Sequence, residues 1–293
     1  LTTTTTTTLR DLLAQRPLIV APGAYDAISS RAIETAGFPA VYMTGSGTAA
    51  SRGFPDFGLL TMSEMVENAG VIARSVALPV IADADTGYGN ELNVTRTVRE
   101  YESRGVAAIH IEDQVSPKRC GHLDGKDIVP RAEFISKISA AVQARRDLNF
   151  VIIARTDALA VVGMDEAIAR ANEALAAGAD VAFVEAARST EELARIPRLV
   201  KGPCLLNMVM GGKTPVVSLK DAEAMGYKIA IQPGILFRAA IAVFDAVLDD
   251  LNKSGVPKPV PNAGAFRDGF DRFSGLEWEA IRARGAANQR GGL

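Results

Sequence analysis

Glu112 and Asp113 end a short apolar run, Ala107-Ala108-Ile109-His110-Ile111, and a few residues later the chain reads Lys118-Arg119-Cys120-Gly121-His122. A thiol between cationic neighbours and glycine, after a strand that ends in acids, suggests a metal site with a proton donor that can close over it. A second acidic pair stands in Asp83-Ala84-Asp85-Thr86-Gly87-Tyr88-Gly89. Residues two apart on an extended chain face the same way, and two carboxylates on one face repel unless a cation or proton lies between them. Glu112 is a candidate third carboxylate. Oxygen ligands without a His or Cys cluster favour Mg²⁺ or Mn²⁺ over Zn²⁺. The competing structural reading makes one Asp a helix cap and the other half of a salt bridge. Two histidines, His110 and His122, and two cysteines cannot build a zinc site. His110 lies inside a strand and reads as a core histidine. No Gly-x-Ser-x-Gly pattern marks a serine nucleophile.

The elements that must position these groups alternate. Apolar runs at Leu18-Ile19-Val20, Ala40 to Met43, Val80-Ile81-Ala82, Ile109-His110-Ile111, Val151 to Ala154, Val181 to Val184, Cys204-Leu205-Leu206 and Ile229-Ala230-Ile231 are eight candidate strands. Amphipathic stretches such as Asn93 to Ser103, Arg131 to Arg145 and Asp165 to Ala176 lie between them. Gly37, Gly105, Gly178 and Gly226 each precede a strand, where a helix-to-strand loop favours glycine. Eight βα units with no shift in composition predict an α/β fold, the (β/α)8 TIM barrel. A doubly wound open sheet is the runner-up, disfavoured because no Gly-x-Gly-x-x-Gly follows the first strand. Barrel sites form at the C-terminal strand ends. There the sequence offers Tyr25-Asp26, Thr44-Gly45-Ser46, Asp83 and Asp85, Glu112 and Asp113, Arg155-Thr156-Asp157, Glu185, Asn207 and Gln232-Pro233.

The 293 residues are 48% hydrophobic and 23% charged with net charge −2, an ordinary globular balance. No basic run predicts nucleic-acid binding, and no apolar stretch of about 18 residues predicts a membrane span. Residues 1–8, Leu1 and seven threonines, lack the pattern of a signal peptide and read as a low-complexity, disordered tail. Residues 9–293 read as one barrel domain with a C-terminal helical extension. There Phe266, Phe270, Phe273 and Ile281 recur near helical spacing, as in an amphipathic helix packed on its own barrel. Cys204 reads as a buried core residue, and a reducing cytoplasm is the expected compartment. Gly211-Gly212-Lys213-Thr214-Pro215 lacks phosphate-loop spacing and reads as an active-site loop.

The segments Asp83 to Gly89, Ile111-Glu112-Asp113-Gln114, Lys118 to His122 and Ala154-Arg155-Thr156-Asp157 closely resemble the isocitrate lyase / phosphoenolpyruvate mutase superfamily, in order, from about Leu9 to the C-terminal helices. The resemblance implies a Mg²⁺-dependent barrel with a gating loop, assembled as a homotetramer (a dimer of dimers) with a C-terminal helix exchanged between barrels. It implies metal-site carboxylates at Asp83, Asp85 and Glu112, with Asp56 supporting bound water. Tyr42, Thr44, Gly45 and Ser46 match the segment that holds a pyruvate-like half. Thr44 and Ser46 depart from methylisocitrate lyases, which carry serine and glycine there. Gly121, Glu185, Asn207 and Arg238 match substrate-contacting positions, Arg155 offsets growing charge, Cys120 matches the catalytic thiol and His122 its loop neighbour. The cysteine resembles the carbon–carbon lyase branch and is lacking in phosphonate-forming mutases.

The flanks Gly121 to Lys126 and Gly53 to Thr61 look most like 2-alkylmalate lyases such as dimethylmalate lyase and the petal-death protein. The reaction implied is C2–C3 scission of a 2-hydroxy carboxylate to a 2-oxo acid, pyruvate, and a carboxylic acid. Arg238 matches an arginine of methylisocitrate lyases, which stand second. Oxaloacetate hydrolysis or decarboxylation stands third, because Pro233 replaces a serine. A phosphonate-forming mutase and a non-catalytic acid-binding barrel follow.

Overall fold

A computed structural model describes residues 4–261 and 264–290. The chain divides into two compact units, the first ending at Ala239 and the second beginning at Ala240.

In the first unit every predicted strand forms. They are β1 (Ile19–Ala24), β2 (Val41–Met43), β3 (Val80–Asp83), β4 (Ala108–Glu112), β5 (Val151–Thr156), β6 (Val181–Val184), β7 (Cys204–Asn207) and β8 (Ile229–Gln232). All pair in parallel with their sequence neighbours, and β8 returns to β1 through Ile19↔Ile229 to close the barrel. Strands covered on both faces read as continuous apolar runs; here the inner and outer faces can still be told apart. Ile81, Ala108, Ile153, Phe183, Leu205 and Ile229 join one inner cluster with Ile19 and Tyr42. Their neighbours Ala82, Ile109, Ile152, Ala182, Leu206 and Ala230 pack outward against the helices.

The helices of this unit are α1 (Thr5–Gln15), α2 (Ala27–Thr35), α3 (Gly45–Ser51), α4 (Met62–Ser75), α5 (Glu91–Ser103), α6 (Arg131–Ala144), α7 (Ala158–Val161), α8 (Met164–Ala176), α9 (Thr190–Leu199) and α10 (Leu219–Met225). Most are capped in the expected way. Thr61 and Glu64 form a reciprocal capping box that starts α4. Gly37, Gly105, Gly178 and Gly226 all take positive φ before their strands, as their placement predicts.

Two expectations need correction. From Thr4 on the threonine tract is not structureless, since Thr5 to Thr8 form the first turn of α1 with Thr4 as cap; residues 1–3 lie outside the described residues. Leu9 makes the difference: it is fully buried in the inner barrel cluster. Arg10 donates to the carbonyl of Asn149 at 3.1 Å and to Asp180 at 2.8 Å, beside the starts of β5 and β6. The C-terminal segment is not one amphipathic helix. α11 (Ile235–Ser254), α12 (Phe266–Arg272) and α13 (Gly275–Arg290) follow β8, and Phe273 lies in the turn between the last two. Phe266, Phe270, Phe273 and Ile281 are all exposed, and the Phe266 and Phe270 rings meet each other at 5.3 Å.

Candidate active site

The inward alternation of the strands runs straight into polar residues at their C-terminal ends. After Tyr42 comes Thr44, after Ile81 Asp83, after His110 Glu112, after Ile153 Arg155, after Phe183 Glu185 and after Leu205 Asn207. A period of two therefore sends these six side chains to one central place. Asp113 has the opposite parity and is not a partner of Glu112. It accepts from Thr156 Oγ1 at 2.6 Å, the Asp157 amide at 2.8 Å and Arg170 at 3.1 Å, tying the ends of β4 and β5 together.

One wall is acidic. Asp83, Asp85 and Glu112 are all buried. Asp83 accepts from the Asp85 amide at 3.0 Å, and Asp85 itself sits at φ 44°, a left-handed conformation that Asp tolerates better than most residues. Lys118 reaches in from the Cys120 loop. Its ammonium lies 2.5 Å from Asp56 and 3.0 Å from Asp85. Burial raises the pKa of Asp85, opposed by Lys118. Burial likewise holds Glu112 well above the usual carboxylate range, opposed by Arg155. Glu112 Oε2 faces Arg155 and Asp85 Oδ1 faces Lys118, each at 3.0 Å, but Glu112 Oε1 has no partner, and Asp56, Asp83, Asp85 and Glu112 outnumber the two cations. Buried acids left this way call for a cation.

The facing wall is built around Arg155. Its guanidinium contacts Glu112 at 3.0 Å, Asp157 at 3.0 Å through Nε, and Glu185 at 3.7 Å. Asn207 donates to Glu185 at 2.9 Å. His122 lies 3.7 Å from Glu185, and its Nδ1 accepts the Lys213 amide at 3.1 Å, which leaves Nε2 to carry the proton of the neutral ring. Gly212 sits so close that an added Cβ would fall 2.7 Å from His122 Nδ1, so the Gly211-Gly212-Lys213 loop closes on the site. Burial lowers the His122 pKa.

The Cys120 loop leaves the barrel at Gln114, which bridges to Ile128 and clasps the Arg119 backbone with two bonds of 2.9 Å. Gly121 has no space for a side chain: a Cβ would stand 2.6 Å from Arg155 Nη2. Cys120 is held neutral by burial, with Asp56 adding to the effect. Its cationic neighbours do not outweigh this, because Lys118 is engaged by Asp56 and Asp85.

On the β2 side, Tyr42 Oη meets His110 Nε2 at 2.8 Å, and the two rings stack. Burial pushes the His110 pKa down to about 3, so the residue is neutral, as expected of a core histidine. Thr44 caps α3 and shares a 3.0 Å hydrogen bond with Ser46. A Cβ on Gly45 would lie 2.3 Å from Asp83 Oδ2.

A cavity of about 240 Å³ joins Tyr42, Thr44, Ser46, Asp56, Asp83, Lys118, Cys120, Gly121, His122, Arg155, Glu185, Asn207 and Arg238. Asp85, Glu112 and Gly45 stand behind its wall. Arg238 is exposed and its Nη1 donates to the Met210 carbonyl. Sequence reasoning missed Lys126 and the work of Asp157 and Lys118; only the adjacency of Asp157 to Arg155 signalled any of this. Cys204 is buried in β7, with its thiol pushed up to about 12 by burial.

Residues 9–252 match the family model described as phosphoenolpyruvate phosphomutase. The chain belongs to the phosphoenolpyruvate mutase/isocitrate lyase superfamily. Among its superfamily relatives, the 2,3-dimethylmalate lyase of Eubacterium barkeri is 46% identical over 92% of this chain and 96% of its own length. A crystal structure of 2,3-dimethylmalate lyase superposes with TM-score 0.91 at 43% identity, covering 96% of this chain and 95% of that one. The 2-methylisocitrate lyase of Aeropyrum pernix is 45% identical over 86% of this chain and 81% of its own. An oxaloacetate acetylhydrolase solved with 3,3-difluorooxalacetate gives TM-score 0.92 at 40% identity, covering 97% of both chains. With these superfamily relatives the chain is an enzyme, a carbon–carbon lyase.

Proposed function

We propose that this enzyme cleaves the C2–C3 bond of a 2-alkylmalate of the 2,3-dimethylmalate type, releasing pyruvate and a carboxylic acid, with Mg²⁺ as cofactor and Cys120 as general acid. The observation that carries the reading is the neutral thiol of Cys120 on the same small cavity as Asp83, Arg155 and Asn207.

The donor set fits the metal. Among the described residues no three His, Cys, Asp or Glu side chains stand close enough to hold an ion alone. Mg²⁺ suits such a site, because it keeps several waters and takes only one or two carboxylates plus substrate oxygens. The partnerless Glu112 Oε1, and acids that outnumber the Lys118 and Arg155 cations facing them, mark where positive charge is lacking. Of Asp83, Asp85 and Glu112, one or two would meet the ion directly and the rest, with Asp56, would bond its waters. When bound, Mg²⁺ supplies Lewis-acid polarisation of the substrate's hydroxyl and carboxylate oxygens.

The chain's own residues do the rest. Tyr42, Thr44 and Ser46 present hydroxyls, and Gly45 keeps the backbone close, to the 2-hydroxy-acid end. The 2-hydroxyl loses its proton to a carboxylate of the same cavity, Asp56, and as the C2–C3 bond breaks to leave the ketone, negative charge grows on the departing carboxylate-stabilised carbanion. The Arg155 guanidinium and the Asn207 amide face that charge in a buried setting where such donors act strongly. Cys120 Sγ–H then delivers its proton to C3. Glu185 orients Asn207 and His122, and Gly121 lets the loop pack against Arg155.

Two observations rank the substrates. Arg238 is turned to the Met210 carbonyl, which favours an alkylmalate over a tricarboxylate, although its place on the cavity rim keeps 2-methylisocitrate as the second reading. Pro233 lines the same cavity and has no hydroxyl to offer, which weighs against oxaloacetate hydrolysis. Assembly into a homotetramer is supported by α11, which buries none of its side chains and exposes Phe244 and Leu248.

The test is 2-oxo acid release from 2,3-dimethylmalate, other 2-alkylmalates, 2-methylisocitrate, isocitrate and oxaloacetate, with Mg²⁺ and with chelator. 2,3-Dimethylmalate should give the highest kcat/KM and chelator should abolish it. Silence from every substrate would overturn the assignment. Light scattering of the same preparation would overturn the tetramer by giving a monomer mass.

A further inference from the structure

Lys126 is a buried cation that the mechanism above does not use. Its side chain is 2% exposed. The ammonium donates to the carbonyl of Gly121, next to the thiol residue, and lies 3.4 Å from Asp157 Oδ1. Asp157 grips Arg155 through Nε at 3.0 Å and Nη2 at 3.3 Å. One ammonium thus touches both the backbone beside Cys120 and the carboxylate that aims Arg155. Although burial works against its ionisation, Asp157 is held below the ordinary carboxylate range by Arg155 and Lys126.

A buried ion pair is a weak device for stability, because desolvating each ion costs several kcal/mol and apolar residues often serve as well. What it does supply is register. The loop's other anchors act elsewhere: Gln114 clasps Arg119 at its base, and Lys118 meets the acids on the opposite wall. Lys126 is the anchor facing Arg155. The Gly121 backbone is drawn against the guanidinium, at a spot where not even a methyl group would fit.

We propose that Lys126 is a positioning residue: it fixes the Cys120–Gly121 backbone to the Arg155–Asp157 pair, so that proton donor and charge acceptor face one another across the departing half of the substrate. This rests on the lyase reading for its catalytic consequence, but not for its geometry.

Two measurements on Lys126→Met decide it, with thermal unfolding as control. The first is steady-state turnover of whichever malate the native enzyme cleaves best. Misplacing a reacting group by about 1 Å costs roughly 10²-fold, so kcat should fall by about that factor while KM stays within about threefold. The second is alkylation of Cys120 by iodoacetamide without substrate, with buried Cys204 as internal reference; release of the loop should speed it about tenfold by the loss of shielding. If Lys126→Met does not fold, Lys126→Gln, which keeps an N–H donor but no charge, takes its place with the same expectation. A native value in either measurement overturns the proposal. If the native protein cleaves no substrate, the functional assignment falls, and the alkylation rate alone decides Lys126: faster supports the anchor, unchanged overturns it.

Discussion

A cysteine with Lys118 and Arg119 before it and His122 after it invites the inference of a thiolate. The folded environment reverses this. Lys118 directs its charge to Asp56 and Asp85, and burial with Asp56 lifts the thiol pKa. Cys120 therefore enters the reaction as an acid, and rising pH removes the proton it must give. The turnover of the native enzyme should hold through the ordinary thiol range and decline only above it. Cys120→Ser should lose about 10²- to 10⁴-fold in kcat, the usual contribution of a positioned general acid, and lose the descending limb as well. Profiles of kcat against pH for both proteins check this; a limb below the ordinary thiol pKa would mean a thiolate and a different role. Cys120, Arg155 and the acids are readable from residue type and order. Lys126 is not, since nothing in a local pattern distinguishes a lysine that will be buried from one that will be solvated.

At the scale of elements, the site is a continuation of the strand pleat. Apolar runs announce eight strands, and parity along each run picks which polar residue faces inward: Glu112 but not Asp113, Arg155 but not Thr156. That parity is legible in the order of residues alone. Contacts between elements are not, because they depend on how neighbouring loops approach. Gly45 shows the point. Its place at the start of α3 explains nothing by itself, yet the helix begins so near β3 that a methyl group would stand 2.3 Å from Asp83 Oδ2. Gly45→Ala must push Asp83 from its position. Activity should fall at least about 10²-fold for a displacement of this order with the circular dichroism spectrum unchanged; native activity would show that α3 yields instead.

For the whole molecule, closure of the barrel is predictable from the count and spacing of βα units, because eight such units leave few other ways to cover both faces of a parallel sheet. The floor is not. A run of threonines has low helix propensity, and only tertiary contacts make α1 stable. Leu9→Ala removes a fully buried side chain from the inner cluster and should cost about 2–5 kcal/mol, read from urea unfolding, with turnover per folded molecule intact. The bond between Arg10 and Asp180 joins residues 170 apart in sequence. Closing so long a span is slow to be rewarded during folding, so α1 is expected to dock after the strands it contacts. Stopped-flow measurements on Leu9→Ala should find unfolding accelerated and refolding unchanged, the pattern of a contact absent from the transition state; slowed refolding would place α1 in the nucleus instead. On the expected outcome α1 would set how long the barrel lasts once made and have no part in how quickly it is made.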